Sequence, residues 1–196
     1  MPRSADPRLP EQWLARVVDY VLANGLRDLS LRPLGRAVGV SPRTLLYHFD
    51  SKEGLIAAVL AEARARQRAL LDSWIARTAE YDLATLLIGA WRWLSAPRHD
   101  RLLRLYFEAY GAGLQERKRY GPFLASTGDD WLTFFRHVLE MGGVAPDRAS
   151  SLATILVAYV RGLLLDLLAT GERARVDRAF RSFITAVELP SPASAP

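Results

Sequence analysis

The sequence predicts an all-α protein, in which an N-terminal three-helix head with a helix-turn-helix is joined by a long helix to a C-terminal helical bundle. Apolar residues recur at helical spacing along most of the chain, and no stretch shows the alternation of a strand. Gly39 separates two short helical segments, which is the layout of a helix-turn-helix. The last helical segment has an apolar stripe, and the segment before it is apolar on nearly all sides.

The composition limits the classes of protein to be considered. A chain of 196 residues allows one or two domains. The absence of cysteine excludes disulfides and thiolate metal sites and fits a reducing cytoplasm. A formal net charge of +5 and a pI of about 9.9 favour contact with a polyanion. The N-terminus lacks the pattern of a signal peptide, so we expect a cytoplasmic protein.

The chain begins with a segment that we expect to be a mobile arm, residues 1–9. The first helix should run from about Pro10, which suits a first helical turn, to Asn24, which precedes a glycine. Trp13 and Val17 follow helical spacing and give this helix a core face. It would support the helix-turn-helix from behind.

The helix-turn-helix is indicated by its caps. Ser30 is expected to cap the second helix, and Gly39 can take the left-handed conformation that ends it. Ser41 is a preferred N-cap, and a proline stands at the first helical position that follows it. The third helix, Pro42 to Phe49, would then be the recognition helix that enters the DNA major groove.

The recognition helix has two different faces. Leu45 and Phe49 lie four residues apart and should pack inward, with Leu46 beside them. The outer side offers no carboxylate, so it can approach phosphates or base edges without repulsion. A solvated face on a small helical hairpin is the alternative, but the glycine turn, the cap and the basic face together favour DNA. The outward residues are Arg43, Thr44, Tyr47 and His48.

The segment after the recognition helix predicts a fourth helix that runs to about Thr78. Asp50 and Glu53 resemble a capping box for its start. Lys52 lies in the first turn, where it opposes the helix dipole, which suggests an external anion such as a DNA phosphate. In the second helix, Gly35 costs about 1 kcal/mol relative to alanine, and we expect it to mark close helix–helix packing.

The remainder of the chain is divided by short breaks that contain proline or glycine. We expect a DNA-binding head over residues 1–54, a second helical domain over 55–189 and a disordered tail over 190–196. The helices expected in the second domain, after the long one, are Asp82–Ser95, Asp100–Gln115, Pro122–Met141, Pro146–Thr170 and Arg173–Val187.

The last two helices predict a homodimer. The final helix has an apolar stripe, and the helix before it is apolar on nearly all sides, beyond what one neighbour could cover. Together they resemble half of a four-helix bundle that a second subunit completes. The alternative is that other helices of the same chain cover them. The residues predicted for the dimer interface are Leu156, Val160, Leu163, Leu167, Val176, Phe180, Phe183 and Ile184.

The same region could be mistaken for a membrane span, because residues 152–170 are mostly apolar. Arg161 and Asp166 lie inside it, and each would cost roughly 2.5–3.5 kcal/mol at the centre of a bilayer. We therefore expect a buried helix of a protein that does not enter a membrane.

The stretch from Ser30 to Leu55, 26 of the 196 residues, resembles the DNA-binding head of TetR-family transcriptional regulators. The resemblance implies a homodimer that binds a roughly palindromic operator, with repressor more usual than activator. It also implies that a small molecule bound in an effector-binding and dimerisation domain, here residues 55–189, releases the DNA. The matching residues are Leu34-Gly35, Gly39-Val40-Ser41, Thr44-Leu45, Tyr47-His48-Phe49, Ser51-Lys52 and Leu55.

The resemblance also implies roles for individual residues in binding DNA. Tyr47, His48 and Lys52 fall on positions that contact phosphate. Two departures are that Leu46 stands where the family often has a tyrosine, and that Gly35 replaces the usual alanine. The positions that face base edges are Pro42, Arg43 and Thr44, with Arg32 as an upstream candidate for contacting guanine.

The family places an effector pocket among the middle helices, and aromatic side chains there would suit an apolar or aromatic effector. The alternative for each ring is ordinary core packing. Arg161 lies within an apolar run, so we expect it to pair with Asp166 or Glu108, or to meet an acidic effector. The candidate pocket residues are Trp91, Phe107, Tyr110, Phe134, Phe135, Tyr159 and Arg161.

Two other classes of function can be compared with a ligand-responsive regulator. An enzyme is not expected, because His48, His99 and His137 show no metal-ligand spacing, and we find neither a nucleophile elbow nor a phosphate loop. No cofactor and no metal are expected for the same reason. The other class is a DNA-binding adaptor that has no small-molecule ligand and is controlled by a protein partner.

Overall fold

The computed structural model describes residues 9–77 and 82–186. Over these residues the chain forms nine α-helices and no strand, so the predicted all-α class is confirmed. A single 3₁₀ turn, Pro97–His99, separates the fifth and sixth helices. The helices are α1 (Leu9–Asn24), α2 (Leu31–Val38), α3 (Pro42–Phe49), α4 (Lys52–Ile75), α5 (Leu83–Leu94), α6 (Asp100–Gln115), α7 (Arg117–Met141), α8 (Pro146–Thr170) and α9 (Arg173–Ala186).

The main difference from the expected helix ends is at the start of α7. The helix begins at Arg117 and continues through Pro122, so the expectation that it starts at the proline was wrong. A proline removes one helical hydrogen bond, which here would have been to the carbonyl of Lys118. Both residues are exposed, so water can satisfy that carbonyl. The helix α4 ends at Ile75, three residues earlier than expected, while the expected arm up to residue 8 and the tail lie outside the described residues.

The described chain divides into two compact units, of which the first comprises residues 9–67 and 101–125. It contains α1 to α3, most of α4, most of α6 and the start of α7. Apolar residues at helical spacing on these segments form one core, as the pattern in α1 predicted. Its most deeply buried members are Val17, Val18, Val21, Leu34, Val38, Leu45, Leu55, Val59 and Ala109.

The second unit comprises residues 68–77, 82–100 and 126–186. Within it, α5 and α9 are joined by polar as well as apolar contacts. Trp91 Nε1 donates a hydrogen bond to Asp177 Oδ1 at 2.7 Å, and the Trp91 ring stacks on Phe180 at 5.0 Å between centroids. Arg173 donates to the backbone carbonyl of the buried Ser95. These units are defined by contacts between residues. The predicted boundary at residue 54 separates two functions, and it stays a prediction.

Candidate nucleic-acid interface

The turn of the helix-turn-helix has the geometry that its glycines predict. Gly39 ends α2 with φ of 78°, and its N–H donates to the carbonyl of Gly35 at 2.9 Å. A Cβ at Gly35 would lie 2.6 Å from the carbonyl oxygen of Val40, far inside an ordinary contact. Gly35 therefore does mark a close approach, chiefly to the backbone of the turn and also to Pro42 at the start of α3, whose Cδ would lie 3.4 Å from that Cβ. An alanine at this position would require the turn to shift.

The N-caps of α2 and α3, the two helices of the hairpin, differ from one another. Ser41 Oγ accepts a hydrogen bond from the Thr44 N–H at 3.0 Å, which confirms it as the N-cap of α3. The same oxygen lies 2.8 Å from Thr44 Oγ1, so the hydroxyl predicted to contact a base is already held by its neighbour. Ser30 occupies the N-cap position of α2 as expected, but its side chain makes no capping hydrogen bond. The expectation that its hydroxyl caps the helix was therefore wrong.

The start of α4 corrects another expectation. The cap is Ser51, whose Oγ accepts from the Gly54 N–H at 2.9 Å, and not the predicted pair of Asp50 and Glu53. Asp50 instead carries the turn, with φ of 62° and ψ of −37°. A Cβ at Gly54 would lie 2.1 Å from the Phe49 carbonyl oxygen, so the turn requires glycine there. No local pattern in the sequence indicates this requirement at Gly54.

The recognition helix α3 presents an outer face as predicted, with one exception. Leu45 is buried, whereas Leu46 is 37% exposed and does not pack inward beside it. Tyr47 is 82% exposed, so its phenol is available to a partner and contributes little to the core. His48 is also exposed and makes edge-to-face contacts with the rings of Trp13, at 4.9 Å between centroids, and Tyr47, at 5.4 Å. These contacts orient the imidazole.

The cationic side chains of the head come from three successive helices, α2, α3 and α4. Arg43 is exposed on α3 itself, and Lys52 is half-buried at the first position of α4. Arg32 and Arg36 of α2 line a surface cleft of about 580 Å³ that also includes the predicted base-contacting Pro42. Residues 30–52 hold four cationic side chains and one carboxylate, so this surface is suited to a polyanion.

Arg16 of α1 is a residue that the sequence analysis missed. Its Nη2 donates to the carbonyl of Ala37 at 3.3 Å, in the last turn of α2, where a cation complements the helix dipole. It thereby joins the supporting helix to the start of the hairpin turn. The two residues are far apart along the chain, and no local pattern could have indicated the contact.

The residues predicted for the effector pocket are distributed over both compact units. Phe107 and Tyr110 belong to the first unit, and the other five belong to the second. In the second unit the rings are packed: Trp91 is buried, and the Tyr159 hydroxyl donates to the Ala179 carbonyl at 2.9 Å while its ring stacks on Phe183. Phe134 and Phe135 are buried and meet edge to face at 5.1 Å between centroids.

Arg161 lies half-buried on α8, and both of the partners proposed for it are engaged by other groups. Asp166 pairs with Arg175 at 2.8 Å, and this hydrogen-bonded guanidinium holds the pKa of Asp166 below its usual value. Glu108 accepts hydrogen bonds from the turn that follows α1.

The residues predicted for the dimer interface are mostly covered within one chain. Leu163 and Phe183 are half-buried, and the other six are buried. Contacts with α5, such as the Trp91–Phe180 stack, account for part of this burial, in agreement with the alternative that helices of the same chain cover these residues. A different face of α8 is exposed. Its residues are Ile155, Ala158, Gly162, Leu165 and Ala169.

Comparisons with known proteins agree with this geometry. Residues 21–59 match the family described as bacterial regulatory proteins, tetR family. No curated protein matches the chain. Among solved structures, a transcriptional regulator from Rhodococcus sp. Rha1 is 24% identical, with a TM-score of 0.68 over 90% of this chain and 94% of its own.

Two further structures share the fold. A TetR transcriptional regulator from Legionella pneumophila is 18% identical, with a TM-score of 0.65 over 93% of this chain and 98% of its own. The multidrug binding protein EbrR, solved with imidazole, is 23% identical, with a TM-score of 0.66 over 99% and 96%.

The family match spans the turn at Gly39, the recognition helix and the start of α4. The class that this domain defines is a DNA-binding transcriptional regulator with a helix-turn-helix. The predicted resemblance to TetR-family regulators is confirmed for this domain, over residues 21–59.

Proposed function

We propose that the protein is a homodimeric repressor that binds a palindromic operator and is released by a small apolar or aromatic effector. The observation that carries the proposal is the outer face of α3, where Arg43 and the 82% exposed Tyr47 stand free of the core. A cation, a phenol and an imidazole on one helix, without a carboxylate among them, are suited to bases and phosphates. A DNA-binding protein of this kind would work in the cytoplasm.

The individual roles follow from where each side chain lies. Arg43, Thr44 and Pro42 stand in the first turn of α3, the part of a recognition helix that contacts base edges, with Arg32 beside them. Tyr47, His48 and Lys52 are proposed to bind phosphates and so to set the register of the head on the duplex.

The proposed dimer rests on the exposed face of α8. Ile155 and Leu165 are 51% and 52% exposed, and the stripe that they share with Ala158, Gly162 and Ala169 repeats at intervals of three and four residues. This spacing forms one apolar seam, as in packed helix pairs. Nothing lies within 4 Å of where a Cβ of Gly162 would stand, so a second helix could approach closely.

A second copy is also our explanation for the apolar character of α8. Among the described residues it is the one helix long and apolar enough to span a membrane, with a mean hydropathy of 1.9 and a third of that window buried. Arg161 and Asp166 within it disfavour a bilayer. Covering the exposed stripe with the same stripe of a partner removes the apolar surface from water without that cost.

The effector is supported by the fold and opposed by one observation. EbrR, which shares the fold, is described as a multidrug binding protein and was solved with imidazole. In this chain, however, the apolar cleft between α5, α7, α8 and α9 holds about 50 Å³, whereas drug-sized ligands occupy roughly 300–1,000 Å³. This cleft would therefore have to widen to admit such a ligand, and the alternative is an adaptor without a small-molecule ligand that is controlled by a protein partner.

Selection from a pool of random duplexes tests the DNA-binding part of the proposal. The protein should enrich a palindromic site, and Arg43→Ala should bind that site and its single-base variants with less discrimination. Enrichment of no site would contradict the proposal, and so would an equal loss of affinity for every duplex by Arg43→Ala.

A second experiment separates the sensor from the adaptor. Purified protein bound to the selected duplex is titrated with monocyclic and bicyclic aromatic compounds, imidazole among them, while DNA release and the melting temperature are followed. A sensor should be stabilised by a compound that also releases DNA. An adaptor should show neither effect with any compound.

A further inference from the structure

A carboxylate from α6 binds the turn that leads into the helix-turn-helix. Glu108 accepts hydrogen bonds from the Leu26 N–H, which lies 2.9 Å from Oε1 and 2.8 Å from Oε2, and from the Arg27 N–H. The residues joined in this way are more than 80 positions apart in sequence and lie in the same compact unit. Hydrogen bonds to a charged acceptor are among the stronger ones in proteins.

The turn is shaped to receive this carboxylate. Gly25 ends α1 with φ of 81°, and a Cβ there would lie 3.1 Å from Glu108 Oε2, too close for an undisturbed contact. Leu26 and Leu29, on either side of the turn, are buried in the core of the head. The turn is therefore held by Glu108 on one side and by the core on the other.

What the turn positions is the DNA-contacting surface. It connects α1, which supports the hairpin, to α2, which carries Arg32 at its second residue. A side-chain ion pair lies nearby, where Arg119 of α7 donates to Glu53 in the first turn of α4 at 3.3 Å, next to Lys52. Glu108, Arg119 and Lys52 line one cleft of about 350 Å³ in this unit.

We propose that Glu108 is a positioning residue for DNA binding, which fixes the turn between α1 and α2 and so sets the orientation of the hairpin. The proposal rests on the proposed function, since its effect is measured on operator affinity. Glu108 acts through the backbone of Leu26 and Arg27 and touches no DNA itself.

A positioning role and a purely electrostatic role predict opposite changes in DNA affinity when the charge of Glu108 is removed. Removing a carboxylate makes a protein more cationic, and electrostatics alone would then strengthen its binding to DNA. In Glu108→Gln, the amide keeps the size of the side chain but loses the charge and one acceptor oxygen, and its NH2 group replaces the oxygen that accepts the second hydrogen bond from the Leu26 N–H. Loss of positioning would weaken binding, in the opposite direction to the change in charge.

The experiment compares Glu108→Gln with Glu116→Gln, which makes the same charge change in the same cleft but holds only the side chain of Arg119. Glu108→Gln should bind the selected duplex at least tenfold more weakly, with the slope of log affinity against log salt unchanged because every side chain that binds phosphate is still present. Glu116→Gln should bind as tightly as the wild type or slightly more tightly. Amide hydrogen exchange at Leu26 and Arg27 should accelerate at least tenfold in Glu108→Gln alone.

Equal or tighter binding by Glu108→Gln would overturn the proposal, as would unchanged exchange at the two amides. If Glu108→Gln does not fold, Glu108→Asp keeps the charge and withdraws the carboxylate, and the same results are required of it. The exchange measurement needs no DNA, so failure of the wild type to bind any duplex would refute the proposed function while the anchoring of the turn is still decided.

Discussion

Replacing Gly35 by alanine tests whether the geometry of the hairpin is as described. A Cβ at this position would lie 2.6 Å from the Val40 carbonyl oxygen, about 0.8 Å short of an ordinary contact at 3.4 Å. The obstacle is backbone, so the turn itself must move. Overpacking of this kind costs about 1–3 kcal/mol, and the higher helix propensity of alanine offsets about 1 kcal/mol of that cost.

The matched control is Gly111→Ala in α6 of the same unit, where a Cβ would meet nothing within 4 Å. This variant should be stabilised by up to about 1 kcal/mol. Gly35→Ala should therefore be less stable than Gly111→Ala by about 1–3 kcal/mol. Urea unfolding followed by circular dichroism measures both free energies of unfolding. Equal stabilities of the two variants would refute the close approach at Gly35.

Three further predictions concern phosphate contact, assembly and pH. Lys52→Ala should weaken binding to all duplexes and reduce the salt slope by about one unit, whereas Lys118→Ala, at the only other lysine, should leave the slope unchanged. Leu165→Glu should sediment as a monomer, whereas Leu114→Glu, at a leucine that is 63% exposed on α6, should not. Burial and the nearby Arg98 lower the pKa of His99, so the unfolded chain binds this proton more readily. Stability should therefore fall as the pH drops below about 6.5, and His99→Gln should flatten that dependence of the melting temperature.

The helix-turn-helix could be predicted because its signals are local. Gly39 and Ser41 act on their own turn, through a left-handed φ and a side-chain bond three residues away, and both effects are present in the structure. The start of α4 was misassigned by one residue, because Asp50 and Ser51 are both good N-caps and their order in the turn is decided by the positive φ of Asp50. Local propensity does not settle such a competition.

The coverage of α8 and α9 could not be predicted. An apolar stripe shows that a helix has a neighbour but does not say which neighbour. Trp91 and Asp177 are 86 residues apart, and their contact brings α5 over residues that the stripe had suggested for a partner subunit. The face of α8 that stays exposed has fewer large apolar side chains, because alanine and glycine lie between Ile155 and Leu165.

Contacts between polar residues that are distant in sequence could not be predicted either. Arg16 binds a backbone atom of the hairpin, and Glu108 binds the turn before it. In the sequence, each looks like an ordinary charged residue of an amphipathic helix. Sequence alone shows only that such residues are charged. Their roles depend on which backbone atoms the fold places within reach of the side chain.

The central claim is that two copies of this head contact the two halves of one DNA site through α3. Methylation interference at guanine N7 on the selected duplex tests it most directly, since a methyl group there blocks an arginine contact in the major groove. We predict two symmetrical clusters of interference whose centres are one helical turn, about 10 base pairs, or a multiple of it apart. Interference at a single cluster, or none in the major groove, would contradict the account.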